Sequence, residues 1–226
     1  MTADPWSAVD SYFEEMLLPA DPVLEETLRA SEAAGLPSIQ VSPSQGKLLY
    51  LLAKAQGVRT ILEVGTLAGY STIWLGRALP RGGRLLTLEV NPKHAEVARA
   101  NVARAGLGAQ VEIRLGPAVE TLPKLLSEHE GPFDFVFVDA DKPNTRTYFD
   151  WAVRLSRPGT LIVVDNVVRK GELANASSDD PNVRGMRAFL EALASDSRVS
   201  ATGIQTVGTK GYDGFVLARV VDGPEK

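Results

Sequence analysis

Two apolar runs in this chain end in side chains that can hold a cation and move a proton. FDFVFVDADK (133–142) closes on Asp139, Asp141 and Lys142, and TLIVVDN (160–166) closes on Asp165 and Asn166. Carboxylates placed close together repel, and one is forced to stay protonated unless a cation sits between them. Two carboxylates, a carboxamide oxygen and a few water or substrate oxygens suit a hard divalent ion such as magnesium. On spacing alone, the same residues serve equally well as caps of the helices that follow. Lys142 precedes Pro143, which biases it away from helical backbone and predicts an extended connection. A lysine beside a bound cation loses part of its preference for the charged form and becomes a candidate base; a lysine alone at a surface is a solvated charge. Asp141 is an acceptor with no assignable partner.

A second group of residues follows the first apolar run. EVGTLAGYS, Glu63 to Ser71, carries Gly65 and Gly69, which permit tight turning and close approach of backbone to a ligand, and the helix after it aims its first amides at that place. The spacing is not that of the G-x-G-x-x-G dinucleotide motif, and a plain strand-to-helix turn is the alternative. The next run ends TLEVNP, leaving Glu89 at its carboxyl end. A carboxylate there can accept both hydroxyls of a ribose, although a solvated strand end has the same look. Together the turn and Glu89 favour a nucleoside-containing cofactor without identifying it.

These residues need a scaffold that delivers strand ends to one edge. TILEVG (60–65), RLLTLE (84–89), QVEIRL (110–115), FDFVFVD (133–139) and TLIVVDN (160–166) alternate with stretches of helical periodicity. ILEV, FVFV and LIVV are nearly continuous apolar runs, the pattern of parallel strands covered on both faces. The fold class expected is α/β, a Rossmann-like, doubly wound and mostly parallel sheet of seven strands with helices on both faces. VSATGIQTVG (199–208) and DGFVLARV (213–220), joined by TKGY, predict a hairpin that adds an antiparallel C-terminal strand. Ser42–Pro43 and Asn91–Pro92 each offer a capping side chain before a proline at the first helical position, and Gly57 and Gly106 fit the ends of those helices. Residues 1–56 predict N-terminal helices around a turn at GLPSIQVSP (35–43), a cap on a core spanning 57–226, the whole forming a single domain of 226 residues.

Composition narrows the chemistry. A formal net charge of -4 and the lack of a local basic patch argue against a nucleic-acid partner. With no cysteine and two histidines, thiolate nucleophiles and thiolate or imidazole-rich metal sites are excluded or disfavoured, so a metal would need oxygen ligands. No window reaches the length of a membrane span and the N-terminus has no basic segment followed by an apolar run, which predicts a cytoplasmic protein with no membrane partner. G-x-S-x-G is absent, and neither His94, in an exposed helix, nor His129, in the turn SEHEG, has a nucleophile beside it.

The motifs, taken in order, resemble the cation-dependent O-methyltransferases that use S-adenosylmethionine, the catechol and caffeoyl-CoA O-methyltransferases, and in particular their small bacterial members. The likeness runs through VSPSQGKLLYLLA, ILEVGTLAGYSTIWLGRAL, LLTLEVNPKHAEVARAN, GPAVETL, FVFVDADK, LIVVDNVVRKG and KGYDGF. The resemblance implies a class I methyltransferase domain in which Val41, Glu63, Gly65, Thr66, Tyr70 and Ser71 surround the methionine part of the cofactor. It implies that Glu89 holds the ribose, Ala118 lies against the adenine, and Asp139 borders the cofactor as well as the metal. Asp139, Asp165 and Asn166 are implied to bind the divalent cation, with magnesium as the natural choice, and Lys142 to act with Asp139 in catalysis as the base. The acceptor implied is a small phenolic molecule with vicinal hydroxyls, and homodimers are common among relatives. Only Arg29 is basic between Met1 and Gln45, which counts against gripping coenzyme A there. Two other readings of the residues stand beside this one: a nicotinamide-dependent oxidoreductase, motivated by the sheet and Glu89, and a non-catalytic S-adenosylmethionine-binding module. The loop after the fifth run, VVRKGELANASSDDPN (167–182), is where the acceptor would be chosen, and its Arg169 and Lys170 hint at a polar or acidic group.

Overall fold

The structure, a computed structural model, describes residues 5–221. Its seven strands, β1 (Thr60–Val64), β2 (Arg84–Glu89), β3 (Val111–Leu115), β4 (Phe133–Val138), β5 (Ser156–Asp165), β6 (Val199–Thr206) and β7 (Asp213–Val220), form one sheet in the order β3-β2-β1-β4-β5-β7-β6, with helices packed around it. The strand order departs from β1 in one direction and resumes at β4 in the other, which is the doubly wound arrangement. The chain also falls into two compact units, one running through Pro117 and taking in Gly208–Lys210, the other Ala118–Val207 with the remainder from Gly211. Among the described residues, no helix is long and apolar enough to cross a membrane.

The first unit holds α1 (Pro5–Leu17), α2 (Pro22–Ala33), α3 (Pro43–Gln56), β1 (Thr60–Val64), α4 (Tyr70–Ala78), β2 (Arg84–Glu89), α5 (Pro92–Arg104) and β3 (Val111–Leu115). Three of these helices begin by one local rule, a short polar side chain followed by proline. Asp21 accepts from the amides of Val23 and Leu24, Ser42 from Gln45, and Asn91 from Lys93 and His94, so each satisfies donors that a helix start leaves orphaned. Gly57 and Gly106 close α3 and α5 with positive φ, in the left-handed conformation, as their sequence positions predict. β1 pairs in parallel with β2 from Thr60↔Arg84, and β2 with β3 from Leu85↔Val111. α1 differs from its neighbours in burying no residue. Its Asp10 accepts from the Thr209 amide at 2.8 Å, and Lys210 Nζ donates to the Ser38 carbonyl at 3.2 Å.

The second unit holds α6 (Ala118–Ser127), β4 (Phe133–Val138), α7 (Thr145–Arg154), β5 (Ser156–Asp165), α8 (Pro181–Leu193), β6 (Val199–Thr206) and β7 (Asp213–Val220). Every residue of β4 is buried, and Phe133, Phe135 and Phe137 have no exposure at all. Each such phenylalanine contributes about 1.5–3 kcal/mol by leaving water. At the foot of the strand, Arg157 pairs with Asp134 and Thr160 Oγ1 donates to the Phe133 carbonyl at 2.6 Å. β4 and β5 run parallel with Val138 opposite Val164. β5 then pairs antiparallel with β7, and β7 with β6, which is the predicted hairpin. β5 starts at Ser156 rather than Thr160, because Ser156 pairs with Phe133 across an irregularity in the register that the apolar pattern does not signal.

Candidate active site

In the first unit, the turn from Gly65 to Gly69 is built by groups that converge on it from several elements. Gly65 and Gly69 both have positive φ, backbone that suits glycine, and Leu67 shares the strain with a positive φ of its own. Glu89, at the end of β2, accepts from the amides of Thr66 at 3.3 Å and Leu67 at 2.8 Å through Oε2, and from Asn91 at 2.8 Å through Oε1. Its carboxylate is thus anchored by the turn it was expected to accompany. Thr66, only 2% exposed, meets the Thr87 hydroxyl at 2.5 Å. Asn101, wholly buried on α5, donates to the Ala68 carbonyl at 2.9 Å and completes the fixing of the turn. Sequence reasoning passed over Asn101, since only the packing of α5 brings it there.

Glu63 lies beneath this turn with no exposure, accepting from the hydroxyls of Ser71 at 2.7 Å and Thr72. It therefore holds the first turn of α4 in place, and Thr72 joins Ser71 as its partner. Tyr70 opens α4 at 4% exposure, and burial raises its hydroxyl above the usual tyrosine range. Val41, 6% exposed, directly precedes the Ser42 cap. His94, which sequence reasoning set aside as a bystander, has Nδ1 3.7 Å from Glu89 Oε1 because α5 starts immediately after that strand end. His129 stays outside any such group, in the turn closing α6.

In the second unit, Ala118 is the first residue of α6. The parallel register of β4 with β5 brings Asp139 and Asp165 to adjacent strand ends at one edge. Asp165 is 4% exposed and its Oδ1 accepts from the Asn166 amide at 2.8 Å, while Asn166 itself turns with positive φ. Among the described residues no cluster of three or more His, Cys, Asp or Glu side chains forms a metal site. The donors here are two carboxylates and a carboxamide, and that chemistry fits a hard divalent ion whose remaining positions are filled by water or substrate.

Lys142 is 7% exposed and its Nζ lies 2.8 Å from Asp139 Oδ1. It is not a solvated surface charge. Nor is it in an extended connection, for it begins a 3-10 turn, Lys142–Asn144, and Asp141 before it is the extended residue. The bias imposed by Pro143 is overridden by tertiary contact: a Cβ placed on Gly185 of α8 would come 2.4 Å from the Lys142 carbonyl oxygen, so α8 presses directly on this turn. Asp141 has a partner that the sequence did not reveal, accepting from Asn144 Nδ2 at 2.6 Å and from the Tyr148 hydroxyl. Burial, reinforced by Asp141, keeps that hydroxyl protonated well beyond the ordinary tyrosine range.

The loop after β5 is held by a further carboxylate, at the start of β7, that sequence reasoning did not single out. Asp213 Oδ1 accepts from the amides of Val168 at 3.0 Å, Arg169 at 3.1 Å and Gly214 at 3.0 Å.

Glu63 to Ser71 and Glu89 in the first unit, and Asp139, Asp165 and Asn166 in the second, thus stand at the carboxyl ends of strands, whereas Val41 and Ala118 stand at helix starts. A family model described as O-methyltransferase matches residues 14–221. The chain belongs to the O-methyltransferase family. It is 53% identical to the catechol O-methyltransferase of Niastella koreensis, with 95% of this chain and 97% of that protein covered. Among solved structures, the O-methyltransferase of Bacillus cereus in complex with SAH superposes with a TM-score of 0.94 at 55% identity, covering 96% of this chain and 98% of that one. TomG of Streptomyces achromogenes, an O-methyltransferase solved with SAM and involved in tomaymycin synthesis, does so with a TM-score of 0.94 at 49% identity, covering 98% and 99%. The chain is accordingly an enzyme of methyl transfer to oxygen, and the oxidoreductase reading falls.

Proposed function

We propose that this O-methyltransferase takes the methyl group of S-adenosylmethionine and, with a divalent cation such as magnesium, places it on one hydroxyl of a small phenolic acceptor bearing vicinal hydroxyls. The observation that carries the reading is the part-buried ion pair of Lys142 with Asp139, 2.8 Å apart, at the strand edge shared with Asp165 and Asn166. The relatives solved with SAM and SAH, and the one named a catechol O-methyltransferase, support the cofactor and the acceptor.

In this reading the fixed turn at Gly65–Gly69 binds the methionine part of the cofactor, with Val41, Glu63, Thr66, Tyr70 and Ser71 around it, and Glu89 receives the ribose on acceptor positions left by the amides. Ala118 lies against the adenine. Asp139, Asp165 and Asn166 hold the cation, which when bound supplies positive charge that makes the acceptor hydroxyls more acidic. Lys142 Nζ, having first passed one of its own protons to solvent, takes the proton of the reacting hydroxyl. The oxygen then forms its bond to the methyl carbon as the carbon–sulfur bond breaks, and the sulfonium leaves as neutral S-adenosylhomocysteine. Most of the rate enhancement comes from orientation and from charge already in place. A cytoplasmic setting agrees with an intracellular cofactor. We also read the chain as one methyltransferase domain acting as a homodimer, a reading supported by Trp6, Val9, Tyr12, Phe13, Met16 and Leu17, all exposed along α1.

The test is a methyl-transfer assay over catechols, with and without chelator, on the native chain and on Asp139→Ala. Turnover is expected to fall at least about a hundredfold in chelator and in the variant, with affinity for S-adenosylhomocysteine kept within a few-fold. Undiminished turnover in excess chelator sinks the cation mechanism. Cofactor binding without transfer to any vicinal diol supports the non-catalytic reading instead.

A further inference from the structure

The segment that leaves β5 is held in a conformation that few side chains adopt freely. Asn166, Arg169 and Lys170 all have positive φ, and Gly171 follows with another. For residues with a Cβ, such backbone persists only where the surroundings enforce it, and it gathers at functional sites. The enforcing group here is Asp213, whose Oδ1 takes the amides of Val168 and Arg169, while the Val167 amide donates to the Gly214 carbonyl at 3.0 Å. A dedicated carboxylate therefore fixes the backbone of Arg169, three residues after Asn166.

The side chain of Arg169 adds a second, independent cost. Its Nε is buried and hydrogen-bonds to nothing among the described residues. A guanidinium stays charged under all ordinary conditions, and a desolvated N–H of such a group without an acceptor is unfavourable. Asp180 feels the Arg169 charge, but its Oδ1 is already engaged by the backbone and side-chain nitrogens of Asn182 at 2.8 and 2.9 Å. The fold thus strains a backbone position and leaves a cationic donor unsatisfied at the same residue, directly after the candidate cation ligands.

We propose that Arg169 reads a carboxylate on the methyl acceptor, so that the preferred substrates are acidic catechols, of the dihydroxybenzoate or dihydroxycinnamate type, rather than neutral ones. The planar guanidinium fork suits a carboxylate in a way that a lysine does not. This inference rests on the methyl-transfer reading above. It adds to that reading which acceptors are chosen and by which residue.

The experiment compares 3,4-dihydroxybenzoate with its methyl ester, by kcat/KM for methylation and by calorimetric binding to the protein loaded with S-adenosylhomocysteine and magnesium. The native chain should favour the acid by about tenfold or more in both measurements. Arg169→Gln should bring the ratio to about one, chiefly through KM for the acid, and Arg169→Lys should restore only part of it. Arg169→Gln should also leave the thermal midpoint of the ligand-free chain unchanged or higher, since it removes a buried unpaired donor. A native ratio near one, a ratio unmoved by Arg169→Gln, or a lowered midpoint in that variant overturns the proposal. If no diol is methylated but the acid still binds better than the ester, the catalytic reading fails and the recognition stands.

Discussion

Glu89 is scaffold in this fold and, in the proposed reading, ligand as well. A carboxylate has about four acceptor positions, and three here go to the chain's own amides at Thr66, Leu67 and Asn91. Replacing it should therefore injure the cofactor site twice, by removing the ribose acceptor and by loosening the turn. Glu89→Ala is expected to weaken S-adenosylhomocysteine binding by about tenfold to a hundredfold, read by calorimetry, since each hydrogen bond to a charged group contributes about 1.5–3 kcal/mol. Affinity equal to the native chain's would remove Glu89 from the site. The position of Glu89 at a strand end was legible in TLEVNP; its grip on the turn was not, because that depends on β1 and β2 lying in register. The burial of Lys142 escaped the sequence for a similar reason, since Gly185, which makes room for its carbonyl, lies in a helix forty-odd residues away.

At the scale of elements, the helix starts were the most legible features, because a cap and a proline are local instructions that need no tertiary context. Asp21 exceeds that local role. Besides capping α2, it pairs through Oδ2 with Arg77 of α4 and through Oδ1 with the same guanidinium at 3.2 Å. The hydrogen bond from Arg77 is the main reason its carboxyl is held below the usual range. A lowered carboxyl stabilises the fold above its unfolded value, near pH ~4, and loses that contribution as pH falls through the folded value. Asp21→Asn keeps an oxygen for the cap but drops the charge. It should cost about 1 kcal/mol at pH 7 and much less at pH 3, by urea denaturation at both. An equal cost at the two pH values would place the stabilisation in the cap instead. The loop after β5 shows the opposite case: Asp213 lies 44 residues from the Arg169 amide it holds, and no local pattern joins them.

For the whole molecule, the alternation of apolar runs and helical stretches was enough to predict five parallel strands, because burial on both faces leaves a compositional trace that single contacts do not, and the short link TKGY added the antiparallel hairpin. What composition could not foretell was how unevenly burial is shared, from the six buried residues of β4 to the absence of any in α1. That contrast sets a hierarchy of opening. Amide hydrogen exchange should find Phe135 to Val138 among the last to exchange, at a free energy close to global unfolding, and α1 among the first. Protection of α1 that grew with protein concentration would mark it as the homodimer surface, whereas exchange independent of concentration would speak against that role. Asp139 follows directly on the slowest of these segments. The carboxylate at the centre of the proposed chemistry would then keep its place through the local openings expected of the N-terminal helix.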